Sequence, residues 1–276
     1  MTWVIGASSI FGYGAIMSDV RITFSDGSER DMLQKAYPLG PYIIGGFAGS
    51  VKIGFELLHS LQYGMAPPAS AGPPDSVWTW EPAGVAHEWQ PIAKTIFANA
   101  EPGEQALQSQ ILIVGISHED LTSDAVKAPN VIQRPRAIII RMMSPEFEPL
   151  VTSKPLSIEH IGSGAFVDKY VDLMKHYFDP MSGTLQAETA AFGMWPKMLA
   201  RGVRQVVSDD PVSGISPHVH ILVCRSGQMF MMNNDTTIVP TGKDLIEFKM
   251  PKVAQSYAEF LAMCSATGII SAGARS

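Results

Sequence analysis

The order of its apolar segments is the feature that most restricts the fold of this chain. Two short strands are predicted at the start, Thr2–Ala7 and Tyr13–Asp19, and Tyr42–Ala48 is typical of a buried strand. Further strands are predicted at Gln110–Ile116, Arg136–Met143, Phe147–Thr152, Ser157–Ile161, Val219–Arg225 and Gln228–Met232. Runs of strands separated from runs of helices favour an α+β fold with helices packed on sheets. A sheet-on-sheet core with helices on both outer faces satisfies this order.

Helices are predicted where apolar residues recur at helical spacing. Ser50 is typical of an N-cap for a helix that reaches Tyr63. The other predicted helices are Ile92–Asn99, Ala165–Tyr177, Leu185–Val207 (with a break expected at Gly193 and Pro196) and Lys243–Ala266. The segment Met65–Pro91 holds six Pro and three Trp, which predicts a surface excursion without a helix, because proline fixes φ and removes a donor. Residues 1–276 are otherwise predicted to form one domain.

Composition and charge exclude several classes of protein. Of the 276 residues, 46% are apolar and 17% are charged, which predicts a packed core. The net charge is −6 and no Lys/Arg block occurs, so a nucleic-acid partner is not expected. The longest apolar stretches are shorter than the ~20 residues of a membrane helix, so no membrane contact is expected. With only two Cys, a disulfide framework is not expected and a reducing cytoplasmic location is predicted.

The common cofactor and metal motifs are absent from the sequence. No phosphate-binding loop and no strand-turn-helix nucleophile elbow occurs, so no cofactor is expected. His218 and His220 lie two residues apart on a predicted strand, with Cys224 nearby, which is a weak metal signal. No carboxylate stands at a matching spacing, and no metal site is therefore predicted.

Thr2 is the residue whose position suggests chemistry. If Met1 is removed, Thr2 carries a hydroxyl and a free α-amine on one residue. An α-amine has a pKa of about 7.7–8.0, so part of it is neutral at cellular pH and can accept the hydroxyl proton. This is the N-terminal threonine form of an activated nucleophile.

Further motifs follow Thr2 in a characteristic order. They are Ser18-Asp19-Val20-Arg21, Lys35, Gly46-Phe47-Ala48-Gly49, Gly162-Ser163-Gly164 and Asp210-Pro211-Val212-Ser213-Gly214. With these motifs the whole chain resembles the proteasome β-subunit family of N-terminal nucleophile hydrolases. The segment RDMLQKAYPLGPYIIGGFAGSVKIGFELL is most similar to the longer proteasome homologue of β-proteobacteria. The resemblance implies a four-layer αββα sandwich and a threonine-type peptidase.

The resemblance also implies the roles of individual residues. Thr2 matches the nucleophile and Lys35 the buried lysine that stabilises its alkoxide, with Asp19 fixing Lys35 and Arg21 matching the arginine that follows. The remaining catalytic matches are Gly49 for the oxyanion hole, and Ser163, Asp210 and Ser213 for holding the α-amine. The pocket for the residue before the cut is matched by Ile22, Leu33, Phe47 and Val51. These four are apolar, so small or medium apolar side chains are the expected preference.

Self-assembly and a partner are implied in the same way. The resemblance implies stacked homo-oligomeric rings, with seven-membered rings favoured, peptide or unfolded-protein substrates, and a separate ATP-driven unfoldase. Two other interpretations remain open. One is a stand-alone N-terminal nucleophile amidase acting on a small amide. The other is a catalytically silent ring that serves as a scaffold or binding chamber, which retention of Met1 would favour.

Overall fold

The computed structural model describes most of the chain. The described residues are 2–9, 12–40, 42–65, 81–117, 136–172, 194–225, 228–232, 236–241 and 244–268. Outside them lie residues 66–80 of the predicted excursion and residues 173–177 and 185–193 of two predicted helices. The described residues have a mixed α and β structure, as an α+β prediction requires.

Two five-stranded antiparallel sheets form the centre of the fold. The strands are β1 (Val4–Ser8), β2 (Tyr13–Asp19), β3 (Arg21–Thr23), β4 (Glu29–Asp31), β5 (Ala36–Gly40), β6 (Ile43–Gly49), β7 (Ser109–Ser117), β8 (Arg136–Met143), β9 (Leu150–Thr152), β10 (Ile158–Ile161), β11 (Val219–Arg225), β12 (Gln228–Met232), β13 (Thr236–Thr241) and β14 (Asp244–Lys249). One sheet has the order β10-β1-β2-β11-β12, and the other has the order β5-β6-β7-β8-β9. The pairs β3-β4 and β13-β14 form separate hairpins.

The two sheets pack against each other through apolar residues that alternate along each strand. Ile16 of β2 belongs to the same buried cluster as Leu112 and Val114 of β7. A Cβ at Gly14 would lie 2.3 Å from Val114 Cγ1, so a larger residue there would force the sheets apart. Because both faces of these strands are buried, the strands read as continuous apolar runs in the sequence.

Helices cover the outer face of each sheet. The helices are α1 (Val51–Gly64), α2 (Pro82–Asn99), α3 (Pro102–Ala106), α4 (Met194–Asp209) and α5 (Tyr257–Ala266). Buried residues of α1, α2 and α5 pack on the β5–β9 sheet. Buried residues of α4 pack on the sheet that contains β1 and β2. Over the residues described, none of the helices combines the length and the apolar character needed to cross a bilayer.

The beginning of α2 corrects the sequence prediction. The helix begins at Pro82 and not at Ile92, so residues 82–91 are helical and not part of an irregular excursion. Proline is tolerated in the first turn of a helix because its missing N–H has no intrahelical partner there. Pro82 also packs directly over Gly115, where a Cβ would lie 2.4 Å from Pro82 Cγ. Pro91 lies inside the helix although it cannot donate an intrahelical hydrogen bond, and the neighbouring Trp89 packs in the core.

The C-terminal prediction is wrong over its first half. Residues 244–249 form β14, and only Tyr257–Ala266 is helical within the predicted Lys243–Ala266. The helix begins after Ser256, whose Oγ accepts from the N–H of Glu259 at 3.2 Å. Similarly, Pro196 does not break α4, because it lies in the first turn of that helix.

Candidate active site

Lys35 connects the residues that the sequence assigns to catalysis. Its Nζ donates to Thr2 Oγ1 at 3.0 Å, and it forms an ion pair with Asp19 and a hydrogen bond to the carbonyl of Arg21. Thr2 lies two residues before the start of β1, and Asp19 ends the adjacent strand β2. Antiparallel pairing of β1 with β2 therefore brings the hydroxyl and the carboxylate to the same end of the sheet.

These three side chains are removed from solvent. The exposed fraction is 8% for Thr2, 3% for Asp19 and 2% for Lys35. Burial raises the pKa of the Asp19 carboxyl and lowers the pKa of the Lys35 ammonium, because both charged forms lose hydration. The ion pair acts in the other direction, because the positive charge of Lys35 lowers the pKa of Asp19 and the negative charge of Asp19 raises the pKa of Lys35. In its charged form, Lys35 at 3.0 Å from the Thr2 hydroxyl would favour loss of the hydroxyl proton, because a positive charge stabilises an alkoxide.

Backbone donors fix the Asp19 carboxylate. Its Oδ2 accepts from the N–H of Trp3 at 2.7 Å, and its Oδ1 accepts from the N–H of Arg21 at 3.0 Å. Charge-assisted bonds of this kind are stronger than neutral ones. The carboxylate is thus oriented by two backbone N–H groups, one just before β1 and one at the start of β3, in addition to Lys35.

The Gly162-Ser163-Gly164 segment contacts the backbone of Thr2. The N–H of Thr2 donates to Ser163 Oγ at 3.1 Å, and Ser163 Oγ in turn donates to the carbonyl oxygen of Thr2 at 3.3 Å. Gly162 has a φ of 82°, and a Cβ there would lie 2.2 Å from the Thr2 carbonyl oxygen. Its N–H donates to Gln110 Oε1 at 2.9 Å. Because Gly162 has no Cβ, its backbone can lie close to the Thr2 carbonyl, and the hydroxyl of Ser163 comes within hydrogen-bond distance of the Thr2 nitrogen.

Gly49 occupies the position where β6 passes into α1. It has a φ of 99°, and a Cβ there would lie 2.3 Å from the carbonyl oxygen of Gln108. The next residue, Ser50, caps the helix by accepting from the N–H of Ile53 at 3.1 Å. Gly49 lines the same cavity as Thr2, close to the positive end of the α1 dipole.

A cavity of about 300 Å³ opens beside Thr2. Its lining includes all four residues predicted for the substrate pocket, Ile22, Leu33, Phe47 and Val51. Phe47 reaches its position because α1 carries Gly54 beneath the ring, where a Cβ would lie 2.1 Å from Phe47 Cδ2. The cavity can hold an apolar side chain next to the Thr2 hydroxyl.

The sequence analysis missed several residues of this cavity. They are Thr23, Ala48, Leu107, Gln110, Gly162 and Phe166. Phe166 is 81% exposed and Leu107 is 61% exposed, which is unusual for large apolar side chains. The position of Phe166 two residues after Gly164 of the Gly-Ser-Gly motif was the one available signal in the sequence.

Asp210 and Ser213 are not brought to Thr2 by the contacts described. Asp210 forms an ion pair with Lys169, and its carbonyl oxygen accepts from the Tyr170 hydroxyl at 3.2 Å. Ser213 Oγ donates to Glu29 Oε1 at 2.5 Å. Neither is among the residues that line the Thr2 cavity. These contacts attach the loop after α4 to the β3-β4 hairpin, through Glu29, and to the segment that contains Lys169 and Tyr170.

Arg21 is anchored by a polar network on its outer side. Its Nε donates to Asp31 Oδ1 at 2.7 Å, and Asp31 Oδ2 also contacts His218 Nδ1 at 2.9 Å and Ser216 Oγ at 2.7 Å. Hydrogen bonds from His218, Arg21 and Ser216 hold the pKa of the Asp31 carboxyl well below its ordinary value, although partial burial opposes the shift. The network fixes Arg21, whose carbonyl accepts from Lys35.

The residues of the weak metal signal are separated in the structure. His218 contacts Asp31, whereas Cys224 is buried between the sheets, where burial raises the pKa of its thiol to about 12. In the part of the chain that the structure describes, no group of three or more His, Cys, Asp or Glu residues is arranged to hold a metal ion.

Replacing Asp31 by asparagine is expected to destabilise the protein by about 1.5–3 kcal/mol at pH 7, because it weakens charge-assisted bonds to Arg21. A carboxylate whose pKa is lowered by folding stabilises the native state above its unfolded pKa of about 3.9, and this contribution is lost as pH falls further. The difference between wild type and D31N should therefore shrink below about pH 4. Urea unfolding at pH 7 and pH 3.5 measures it, with the exposed Glu88→Gln as control. If wild type and D31N differed by the same free energy of unfolding at both pH values, the Asp31 carboxylate would not have the lowered pKa that the network gives it.

Sequence comparisons leave the family of the chain open. No protein-family model matches it, and no curated protein matches it closely enough to be a relative. The resemblance to proteasome β subunits is therefore an expectation that rests on the motifs. The chemistry of the site follows from the contacts around Thr2.

Proposed function

We propose that this chain is a threonine-type endopeptidase that uses Thr2 as its nucleophile after removal of Met1. The observation that carries the proposal is the contact of Lys35 Nζ with Thr2 Oγ1 at 3.0 Å, in a buried site that also holds Asp19. A nearly fully buried lysine that pairs with Asp19 and also contacts a threonine hydroxyl beside a cavity is typical of a functional site. The adjoining apolar cavity supplies a place for substrate.

The proposed reaction begins with transfer of the Thr2 hydroxyl proton to the α-amine, directly or through one water. Oγ1 then attacks a peptide carbonyl, and the new C–O bond leaves negative charge on the carbonyl oxygen. Collapse of this intermediate breaks the C–N bond, and the leaving amine takes the proton from the α-ammonium. Water, activated by the same amine, hydrolyses the ester and restores Thr2. Lys35 remains charged and stabilises the alkoxide in both steps.

Two further groups support this chemistry. Ser163 Oγ lies 3.1 Å from the Thr2 nitrogen, so it can orient the α-amine that removal of Met1 would expose. Gly49 lines the cavity, and its N–H is our candidate donor to the oxyanion, a role worth about 2.7–4 kcal/mol in other hydrolases.

The arrangement of layers supports the same proposal. Helices α1, α2 and α5 lie on one sheet and α4 on the other, and the two sheets face each other. We interpret this order as the four-layer αββα sandwich of N-terminal nucleophile hydrolases. Stacked homo-oligomeric rings in the cytoplasm and a separate ATP-driven unfoldase are part of the proposal on the strength of the motifs alone.

Substrate preference follows from the lining of the Thr2 cavity. Ile22, Leu33 and Val51 present apolar surface. A leucine-sized side chain buried there gains about 1.5–3 kcal/mol relative to exposure, whereas a charged side chain would lose hydration without a partner. We therefore expect cleavage after small or medium apolar residues.

The proposal is tested with a peptide epoxyketone that carries leucine next to its reactive group. Its stable ring adduct requires both a hydroxyl and a free α-amine on the same residue. We expect the intact mass to show a chain without Met1 and one adduct per chain, mapped to the N-terminal peptide. A chain with a residual tag before Thr2 is the control, because its amine is blocked, and it should remain unmodified.

Two outcomes would contradict the proposal. One is full retention of Met1 in the native protein, which would favour a catalytically silent ring. The other is a free Thr2 that neither reacts with the epoxyketone nor hydrolyses fluorogenic peptides. Hydrolysis of small amides with no hydrolysis of peptides would instead favour the stand-alone amidase.

A further inference from the structure

Three aromatic side chains border a cavity that no step of the proposed reaction uses. The cavity measures about 360 Å³ and lies where α1 and the start of α5 meet the strand β5. Tyr37 of β5, Phe55 of α1 and Tyr257 of α5 all line it. Its lining shares no residue with that of the Thr2 cavity. The volume is within the range of about 300–1,000 Å³ that is usual for small-molecule sites, so this is a second candidate site.

The three rings are tilted against one another and are not stacked flat. The ring centroids of Tyr37 and Phe55 are 5.9 Å apart with an angle of 56° between the planes, and those of Phe55 and Tyr257 are 6.2 Å apart at 53°. Tilted rings do not cover one another's π faces as flat stacked rings do. The Tyr37 hydroxyl donates to the carbonyl oxygen of Gln34 at 2.6 Å, which holds that ring in place. The cavity is therefore bordered by aromatic rings set at different angles.

The rest of the lining adds apolar surface and polar groups that are already engaged. Leu39 and Leu58 are buried and line the cavity. Among the polar lining residues, Gln62 donates to the carbonyl of Pro38 at 3.4 Å, and the hydroxyl of Ser256 caps α5. Apolar and aromatic groups therefore make up much of the wall that a ligand would contact.

Negative charge surrounds the aromatic cavity. Glu56 lines it directly and is exposed. Burial raises the pKa of the Tyr37 hydroxyl, and the negative charge of Glu259 adds to that shift. The Tyr37 ring is therefore neutral at physiological pH and lies within the field of a carboxylate.

Tyr257 is in a similar field. Burial raises the pKa of its hydroxyl, and nearby carboxylates raise it further. The charge of Lys52 acts in the opposite direction, but its Nζ forms an ion pair with a carboxylate at 3.2 Å. Among the described residues that act on Tyr37 and Tyr257, negative charges thus outnumber positive ones. The carboxylates that act on Tyr257 are those of Glu104, Glu56 and Glu101.

Aromatic rings next to carboxylates match one class of ligand, the organic cations. The face of an aromatic ring carries partial negative charge and attracts a cation placed over it. A quaternary ammonium group has no N–H, so it needs no hydrogen-bond acceptor, and its methyl groups suit an apolar wall. A primary ammonium group, by contrast, would lose hydration in such a cavity unless acceptors replaced the water.

We propose that this aromatic cavity binds a small organic cation that carries a quaternary ammonium group. The methyl groups of the cation lie against the rings of Tyr37 and Tyr257, and the carboxylate of Glu56 balances its charge. None of these residues takes part in the reaction proposed for Thr2, so this inference stands independently of the peptidase function.

Choline is the probe that tests the proposal, with 3,3-dimethyl-1-butanol as its neutral counterpart of the same shape. Isothermal titration of the full-length protein should show one choline per chain. The neutral alcohol should bind about tenfold more weakly, because it has the methyl groups but not the charge. Ethanolamine, which has the charge but no methyl groups, should also bind more weakly than choline.

Two variants test the ring and the charge separately. Tyr257→Leu removes one aromatic face and should weaken choline binding about threefold to tenfold, whereas Tyr257→Phe keeps the face and should bind like wild type. Glu56→Gln changes an exposed side chain without changing its size, and it should weaken the binding of choline but not of the neutral alcohol. The matched control is Tyr63→Leu, because Tyr63 is 79% exposed on the same helix and does not line the cavity. Phe55 is left unchanged, since its ring also contacts Phe47 of the Thr2 cavity at 5.4 Å.

Several results would overturn the assignment. Equal affinity for choline and the neutral alcohol would show that the cavity recognises shape and not charge. Equal affinity for choline and ethanolamine, or unchanged choline binding by Tyr257→Leu, would show that the aromatic rings are not the recognition groups. Binding to phosphatidylcholine vesicles without binding of free choline would assign the surface to a lipid membrane, and absence of choline binding at millimolar concentration would exclude this class of ligand. None of these readouts requires peptidase activity, so they are distinguishable from failure of the Thr2 proposal.

Discussion

Replacing Thr2 by alanine is expected to lower peptide hydrolysis by about 10⁴-fold or more, because the variant has no nucleophile. The structure should be little affected. Thr2 Oγ1 is one of three acceptors around Lys35 Nζ, and Asp19 and the Arg21 carbonyl remain. We expect a loss of about 1 kcal/mol in the free energy of unfolding. Steady-state hydrolysis of a fluorogenic peptide with an apolar residue before the cut provides the measurement.

Thr2→Ser is the matched control for this prediction. Serine keeps the hydroxyl beside Lys35 and the α-amine at Ser163, so substantial activity should remain. Both variants must have lost Met1 before they are compared, which the intact mass shows. If T2A retained more than a small fraction of wild-type activity, the nucleophile would have to be another residue.

Replacing Lys35 by methionine should both abolish hydrolysis and destabilise the fold. The change leaves the Asp19 carboxylate buried without its cation, which typically costs about 3–5 kcal/mol. Protonation of Asp19 relieves part of this cost, since burial already raises the pKa of that carboxyl. K35M should consequently lose less stability at pH 5 than at pH 8. Denaturant unfolding at the two pH values and the peptide assay measure the two effects.

The double variant K35M/D19N separates catalysis from stability. Asparagine removes the unpaired charge, and its single carbonyl oxygen can accept from one of the two N–H groups that bond to Asp19, that of Trp3 or that of Arg21. The double variant should therefore be more stable than K35M alone. It should remain inactive, because no cation is left beside Thr2. An active double variant would exclude Lys35 from the reaction, whereas equal stability of the two variants would show that the ion pair is not the buried contact described.

The sequence was sufficient to predict the central strands, and it named three residues, Thr2, Asp19 and Lys35, that the structure brings into contact. The apolar run Ala137–Ile140 identifies a strand that is buried on both faces, and the structure has β8 at the predicted bounds Arg136–Met143. Thr2, Asp19 and Lys35 were assigned through motif order and not through physical reasoning on distance. Contacts between residues 16 and 33 positions apart are not specified by local pattern.

Other features depend on tertiary packing and could not be predicted. Proline in residues 82–91 argued against a helix, but burial of Trp89 and the close fit of Pro82 on Gly115 outweigh the local preference. The motif that contains Asp210 and Ser213 is present in the sequence, yet its contacts are with Lys169 and Glu29. Among the residues that the structure describes, neither ring nitrogen of His220 has a hydrogen-bond partner, and no sequence pattern indicates this, since hydrogen bonding is decided by the surroundings in three dimensions.

The contact between the Thr2 nitrogen and Ser163 joins residues 161 positions apart, and it has a consequence during synthesis. A ribosome releases the first strands of the chain long before the Gly-Ser-Gly segment exists. An unfinished chain, or a fragment that ends before residue 162, therefore cannot orient the amine of Thr2. If Thr2 is the nucleophile, nascent and truncated chains are harmless to the newly made proteins around them.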